Sequence, residues 1–145
     1  MKLAIGCDPN AMDLKRSILD LCTSLGHEVT DMGSDDPIYA NTAFAVAEAV
    51  AAGTYDRGIL ICGTGLGMSI AANKVKGAYA ALLSDVYSAQ RAMKSNQSNI
   101  ACLGAFTIGE KLALELVKTW LSCEFEPGCS SQPKVDRYRE YDNAR

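Results

Sequence analysis

Apolar positions along this chain recur with two alternating periods, one suited to buried strands and one to helices. Lys2 to Cys7 reads as a short buried strand. Asp8-Pro9-Asn10 breaks it before Leu14, Ile18, Leu21, Cys22 and Leu25 return at helical spacing, and Gly26 closes that helix as a C-cap. Glu28 to Met32 makes a second strand, followed by the polar loop Gly33-Ser34-Asp35-Asp36-Pro37. A helix then carries Ala43, Phe44, Ala47, Val50 and Ala51 inward and stops at Gly53. Arg57 to Cys62 is the third strand, Leu66 to Asn73 a helix, Ala78 to Leu82 the fourth strand, and Val86 to about Ser95 another helix. Ile100 to Leu103 is a short fifth strand, and Ile108, Leu112, Leu116, Val117 and Leu121 mark a long amphipathic helix.

Strictly alternating strands and helices predict an α/β fold. The expected form is a three-layer α/β/α sandwich, Rossmann-like, around a mainly parallel five-stranded sheet, because parallel neighbours need crossover helices. Ligands on such sheets bind beyond the carboxyl ends of the strands, where Asp8, Cys62, Ser84-Asp85 and the segment after the fifth strand converge. The 145 residues fit one domain, residues 1–145. From 127 to 145 the character changes. Pro127-Gly128-Cys129-Ser130-Ser131-Gln132-Pro133 leads into a charged helical tail with Val135, Tyr138 and Tyr141 a turn apart, too poor in apolar residues to stand alone. It is expected to pack on a partner subunit in a homodimer, the alternative being a partly frayed end.

Composition narrows the function. With 48% hydrophobic and 21% charged residues the chain is ordinary for a globular protein, and a net charge of −3 without a basic stripe argues against nucleic-acid binding. The apolar stretches fall short of a membrane span, and Met1 to Cys7 leads straight into a strand pattern, so a cytoplasmic protein is expected. The six cysteines form no Cys-x-x-Cys pair, which favours reduced thiols. With His27 the only histidine, no metal site is expected.

The candidate chemistry sits where the third strand ends. Cys62-Gly63-Thr64-Gly65-Leu66-Gly67 reads as strand, tight loop and helix start, with backbone amides able to face an anion. Cys62 is either a buried strand-end hydrophobe or, beside a helix N-terminus, a base or nucleophile. Asp8 reads as a polar group at the ligand end of the sheet or as the cap of the first helix, a role Asn10 also fits.

Gly6-Cys7-Asp8, the block from Cys62 to Gly67 with Ile70-Ala71-Ala72-Asn73-Lys74, and Tyr87-Ser88-Ala89-Gln90 together resemble the ribose-5-phosphate isomerase B and galactose-6-phosphate isomerase family over nearly the whole chain. The resemblance implies a cofactor-free, cytoplasmic aldose–ketose isomerase of carbohydrate metabolism. It would move a proton between C1 and C2 through an enediolate, with sites built at a dimer interface, alone or as a dimer of dimers. On it, Cys62 matches the base and the Gly63, Gly65 and Gly67 loop the anion hole; Thr64 relays a proton, Asp8 accepts from sugar hydroxyls and Asn96 donates to the oxyanion.

Departures from the family pattern point to the substrate. Ser95 and Pro9 stand where the ribose-phosphate enzymes carry histidines, the first of which opens the furanose ring. A tetrose 4-phosphate has no hydroxyl left to close that ring, and Tyr39-Ala40-Asn41 with Ser95-Asn96 looks like the erythrulose-4-phosphate isomerase branch. The family's phosphate-binding arginines fall on Phe106, Ser130 and Lys134, of which only Lys134 is charged; Arg91, Lys94, Arg137 and Arg139 are candidate replacements. Two alternatives follow: an isomerase of an unphosphorylated sugar, or a non-catalytic sugar-binding subunit of a heteromeric isomerase.

Overall fold

In the computed structural model, which describes residues 1–33 and 35–145, strands and helices alternate as expected. Ser34, in the polar loop expected after the second strand, lies outside the described residues. The strands are β1 (Lys2–Cys7), β2 (Glu28–Asp31), β3 (Arg57–Cys62), β4 (Ala80–Leu82) and β5 (Ile100–Gly104). The helices are α1 (Met12–Ser24), α2 (Tyr39–Ala51), α3 (Leu66–Ala72), α4 (Val86–Lys94), α5 (Glu110–Ser122) and α6 (Gln132–Asn143), with a 3₁₀ turn at Pro9–Ala11.

All five strands are parallel, in the order β2-β1-β3-β5-β4. Period-two alternation of side chains gives the sheet two buried faces. Leu3, Ile5, Ile59 and Ile61 pack with Leu14 and Ile18 of α1, Ala89 and Met93 of α4, and Leu116, Val117 and Trp120 of α5. Ala4, Leu60, Cys62, Ile100 and Cys102 pack on the other face with Ala43, Val46 and Ala47 of α2 and Met68 and Ala72 of α3. Cys62 therefore points to the α2–α3 side. Among the described residues no helix is long and apolar enough to cross a membrane.

Several boundaries shift for local reasons. β2 ends at Asp31, one residue short of Met32. β4 begins at Ala80 because Ala78 closes a turn onto Val75 and the Tyr79 N–H donates to the Asn99 side chain. In α2 the inward residues are Ala43, Val46, Ala47 and Val50, while Phe44 is only half-buried and Ala51 is exposed. Ile108 stands outside α5, its N–H bonded to Gly104, and Leu112 is exposed; Ala113 and Trp120 complete the buried face instead. At the far end of α5, the buried Arg57 guanidinium donates to the Trp120 and Cys123 carbonyls at 2.9 Å each and lies over the Trp120 ring. It supplies the positive charge that a helix C-terminus attracts.

The tail is ordered by its own chain. α6 buries Val135 completely and is pinned by Asp142, which accepts from the Gly77 N–H at 2.7 Å, the Tyr79 hydroxyl at 3.1 Å and Arg145 Nε at 2.7 Å. Tyr138 donates its hydroxyl to the Asn96 carbonyl. Burial works to raise the Asp142 pKa, but the N–H and O–H donors outweigh it and hold the group below its ordinary 3.8. A carboxylate depressed on folding adds stability above its unfolded value and loses it as pH falls through the folded one. Asp142→Ala is therefore expected to speed hydrogen exchange at the Gly77 amide and through α6 at neutral pH. In the wild type the same regional loosening appears only below pH 3.8, while the β3 amides stay protected.

Candidate active site

Parallel pairing sets the carboxyl ends of β1, β3 and β5 side by side. Cys7 is opposite Ile61 and Cys62 is opposite Gly104, so Asp8, Cys62 and the chain after Gly104 meet at one edge. The Asp8 N–H donates to Ile61 O at 2.8 Å, and the Ala105 N–H to Cys62 O at 2.8 Å. Asp8 Oδ1 accepts from the Asn10 N–H at 2.8 Å and caps the 3₁₀ turn. The two readings of Asp8 are compatible, because an ionised carboxylate keeps further lone pairs after one such bond.

Cys62 is 5% exposed, and its Sγ accepts the Gly65 N–H at 3.1 Å. The loop thus curls so that a backbone dipole points at the sulfur. Thr64 is exposed, with Oγ1 accepting the Leu66 N–H at 3.3 Å as α3 begins. Beneath the site, on the same face, lies Cys102. Burial first, and then the neighbouring Cys62 charge, push the Cys102 thiol up, so it keeps its proton.

Each loop glycine is closed on by a different neighbour. A Cβ on Gly63 would come within 2.8 Å of Phe106 Cδ2. On Gly65, in the left-handed region at φ +77°, it would meet Leu82 Cδ1 at 2.5 Å and the Leu103 backbone at 2.9 Å. On Gly67 it would overlap the Tyr39 hydroxyl. The spacing of the glycines, which by sequence suggested only exposed amides, is also a packing requirement. Tyr39, at the start of α2, is thereby brought to the rim; hydrophobic spacing gave no sign of that contact. Asn73, from the recognisable Ala-Ala-Asn-Lys run, serves the fold, since its side chain bonds the Ala80 N–H and carbonyl at 2.9 Å each and ties α3 to the edge strand β4.

Asn96 and Lys134 are not brought to this edge. Asn96 precedes β5, whose first residue Ile100 is opposite Gly58, so it lies at the amino end of the sheet, away from Cys62. Its side chain donates to Arg91 O at 3.3 Å and its carbonyl receives Tyr138. Lys134 lies on α6 a turn before Tyr138 and shares a shallow surface hollow with Arg137 and Tyr141. Of the other candidate cations, Arg91 donates to Ser95 Oγ at 2.6 Å, Arg137 pairs with Glu140 at 3.5 Å and Arg139 lies over the Tyr79 ring. His27 sits before β2 beside the N-terminal amine, also at the amino end.

Gly65 and Gly53 separate strain from crowding, since both have positive φ but only Gly65 has close neighbours. Gly53→Ala should cost only the left-handed penalty of roughly 1–2 kcal/mol. Gly65→Ala should add about 1–3 kcal/mol of overpacking, read as a larger fall in the urea midpoint.

Comparison with known proteins places these features in a family. The ribose/galactose isomerase model matches residues 3–138. A D-erythrulose-4-phosphate isomerase from Pectobacterium atrosepticum is 47% identical over 147 residues, covering 99% of this chain and 96% of that protein. A ribose-5-P isomerase B from Listeria innocua is 47% identical over 145 residues, covering 98% and 97%. The solved structure of Clostridium thermocellum ribose-5-phosphate isomerase B superposes with a TM-score of 0.93 at 43% identity, covering 99% of each chain.

Proposed function

This chain belongs to the ribose/galactose isomerase family and is a sugar-phosphate isomerase of it, and on that premise we propose that its substrates are a tetrose 4-phosphate and the matching ketose. The observation that carries this reading is the pairing of an intact Cys62 loop with Ser95 and Pro9 at the positions where ring-opening enzymes hold histidine. Imidazole is the side chain suited to shuttle the proton of ring opening near neutral pH. An aldose whose fourth oxygen is esterified stays open, so it reaches the base without that step. The 47% identity to a protein named for erythrulose 4-phosphate supports the same choice.

Cys62 thiolate takes the proton from the carbon beside the carbonyl, and the electron pair moves to oxygen as the enediolate forms. Amides of the Gly63 to Gly67 loop other than those of Gly65 and Leu66, which donate to Cys62 Sγ and Thr64 Oγ1, stabilise that oxyanion, which develops only as the proton leaves. Thr64, exposed beside the sulfur, passes the hydroxyl proton between O1 and O2, and Asp8 accepts from a sugar hydroxyl. The thiol then returns its proton to the other carbon, leaving the enzyme unchanged and calling on no redox partner.

Asn96 as oxyanion donor and Lys134 as phosphate ligand complete the site when a second copy supplies them, since one chain holds them at the edge opposite Cys62. A homodimer is supported by the apolar side chains left outward near the loop: Leu66 and Ile70 one turn apart on α3, with Leu82, Val86 and Tyr87 on the neighbouring segment. In this arrangement α6 keeps its own-chain anchor and presents its outer face to the partner.

Two measurements test the reading. Across tetrose, pentose and hexose phosphates, the wild type should turn over the tetrose phosphate fastest, and Cys62→Ala should lose at least about a hundredfold in kcat; faster turnover of ribose 5-phosphate overturns the substrate assignment. For the shared site, inactive Cys62→Ala and Asn96→Ala proteins, unfolded together and refolded, should regain about a quarter of wild-type activity, because half the dimers are mixed and each has one intact site of two. No recovery would overturn the shared site.

A further inference from the structure

Resting on the tetrose reading, we propose that Phe106 is a specificity-determining residue: its ring is the wall that stops the substrate carbon chain one carbon short of a pentose phosphate.

Phe106 follows β5, and its position relative to the base is set by backbone rather than by side-chain packing. The Ala105 N–H is bonded to Cys62 O at 2.8 Å and the Phe106 N–H to Gly63 O at 2.9 Å. The ring lies across Gly63, the first residue after the base, with Cδ2 and Cε2 within 2.8 and 3.0 Å of where a Cβ would stand. It is also 73% exposed, so the core does not need it for burial. An aromatic ring left outward on a loop tied at two points to the catalytic segment offers a flat apolar surface to whatever occupies the site. It has neither charge nor hydrogen-bond donor for a phosphate.

A cavity of about 220 Å³ is lined by Phe106 together with Asn10, Asp13 and Glu110, and two of those side chains are carboxylates. There the Asp13 and Glu110 carboxylates already occupy the first turns of α1 and α5, and Arg16 lies 3.5 Å from Asp13, so it is chiefly the bulk of the ring that turns the chain back toward the Thr64 and Tyr39 side. The limit then acts on length. With the reacting carbons held by Cys62 and the loop amides, one further CHOH unit forces either the phosphate or the ring to move. A one-carbon misfit of this kind is worth about 10–200-fold in kcat/KM.

Phe106→Ala and Phe106→Trp, assayed in the ketose-to-aldose direction with D-erythrulose 4-phosphate and D-ribulose 5-phosphate, neither of which can close a furanose ring, test the wall. Removing the ring should raise kcat/KM for the pentose phosphate relative to the tetrose phosphate by at least about tenfold, whereas the larger indole should keep or sharpen the wild-type ratio. An unchanged ratio in Phe106→Ala, or an equal relaxation in Phe106→Trp, overturns the wall and leaves the tetrose reading standing. A wild-type enzyme that already prefers ribose 5-phosphate overturns the tetrose reading and the wall with it. Sedimentation of each variant guards against a third explanation: if Phe106→Ala falls to monomers and loses both activities equally, the ring serves assembly and not chain length.

Discussion

The close approach of three neighbours to one glycine loop is the constraint on which the rest of the site depends. Phe106, Leu82 with the Leu103 backbone, and Tyr39 close on Gly63, Gly65 and Gly67 in turn, and they come from the β5–α5 turn, β4 with β5, and α2. The loop is therefore held by the β5–β4 side of the sheet and by a helix on the face to which Cys62 points. With its backbone so confined, the Gly65 N–H is aimed at Cys62 Sγ without any side chain to position it. The same contacts confine the other loop amides, and dipoles fixed in advance cost no reorganisation when charge develops on a bound oxyanion, which suits the proposed enediolate chemistry.

A second consequence of parallel pairing is the division of labour between the two ends of the sheet. Residues that end or follow strands, such as Cys62, Asp8 and Phe106, gather at one edge; residues that precede them, such as Asn96, gather at the other. No side-chain rearrangement within a single chain bridges that separation, because it is the length of the strands themselves. The apolar side chains left outward on α3 and near the start of α4 are consistent with a second chain doing so.

Much of this was legible in the sequence, and the exceptions have identifiable causes. The run from Arg57 to Cys62 declares a buried strand, and its bounds agree with the structure to the residue. Alternation of strands and helices was enough to infer the parallel sandwich. The start of α5 was misplaced because Ile108 falls at helical spacing while its backbone belongs to the turn before Gly109. The own-chain seat of α6 escaped a reading based on apolar residues, since its anchor is polar: Asp142 bonding a backbone N–H and a tyrosine hydroxyl. Tyr39 on Gly67 joins residues from two helices with no spacing rule between them. The end of the sheet on which Asn96 lies follows from register, which a motif does not encode.

Strand order also dictates when the site can exist. Among the described residues β4 pairs only with β5, and Ala80 is opposite Ile100, twenty residues further along the chain. During synthesis β4 emerges with no strand to join and waits about 1–4 s for its neighbour at ordinary elongation speeds. Leu82 and Leu103, the clamps on Gly65, belong to that late pair. The loop bearing Cys62 is thus made early and shaped late, so the nascent chain carries the Cys62 thiol through translation before the contacts that confine its loop have formed.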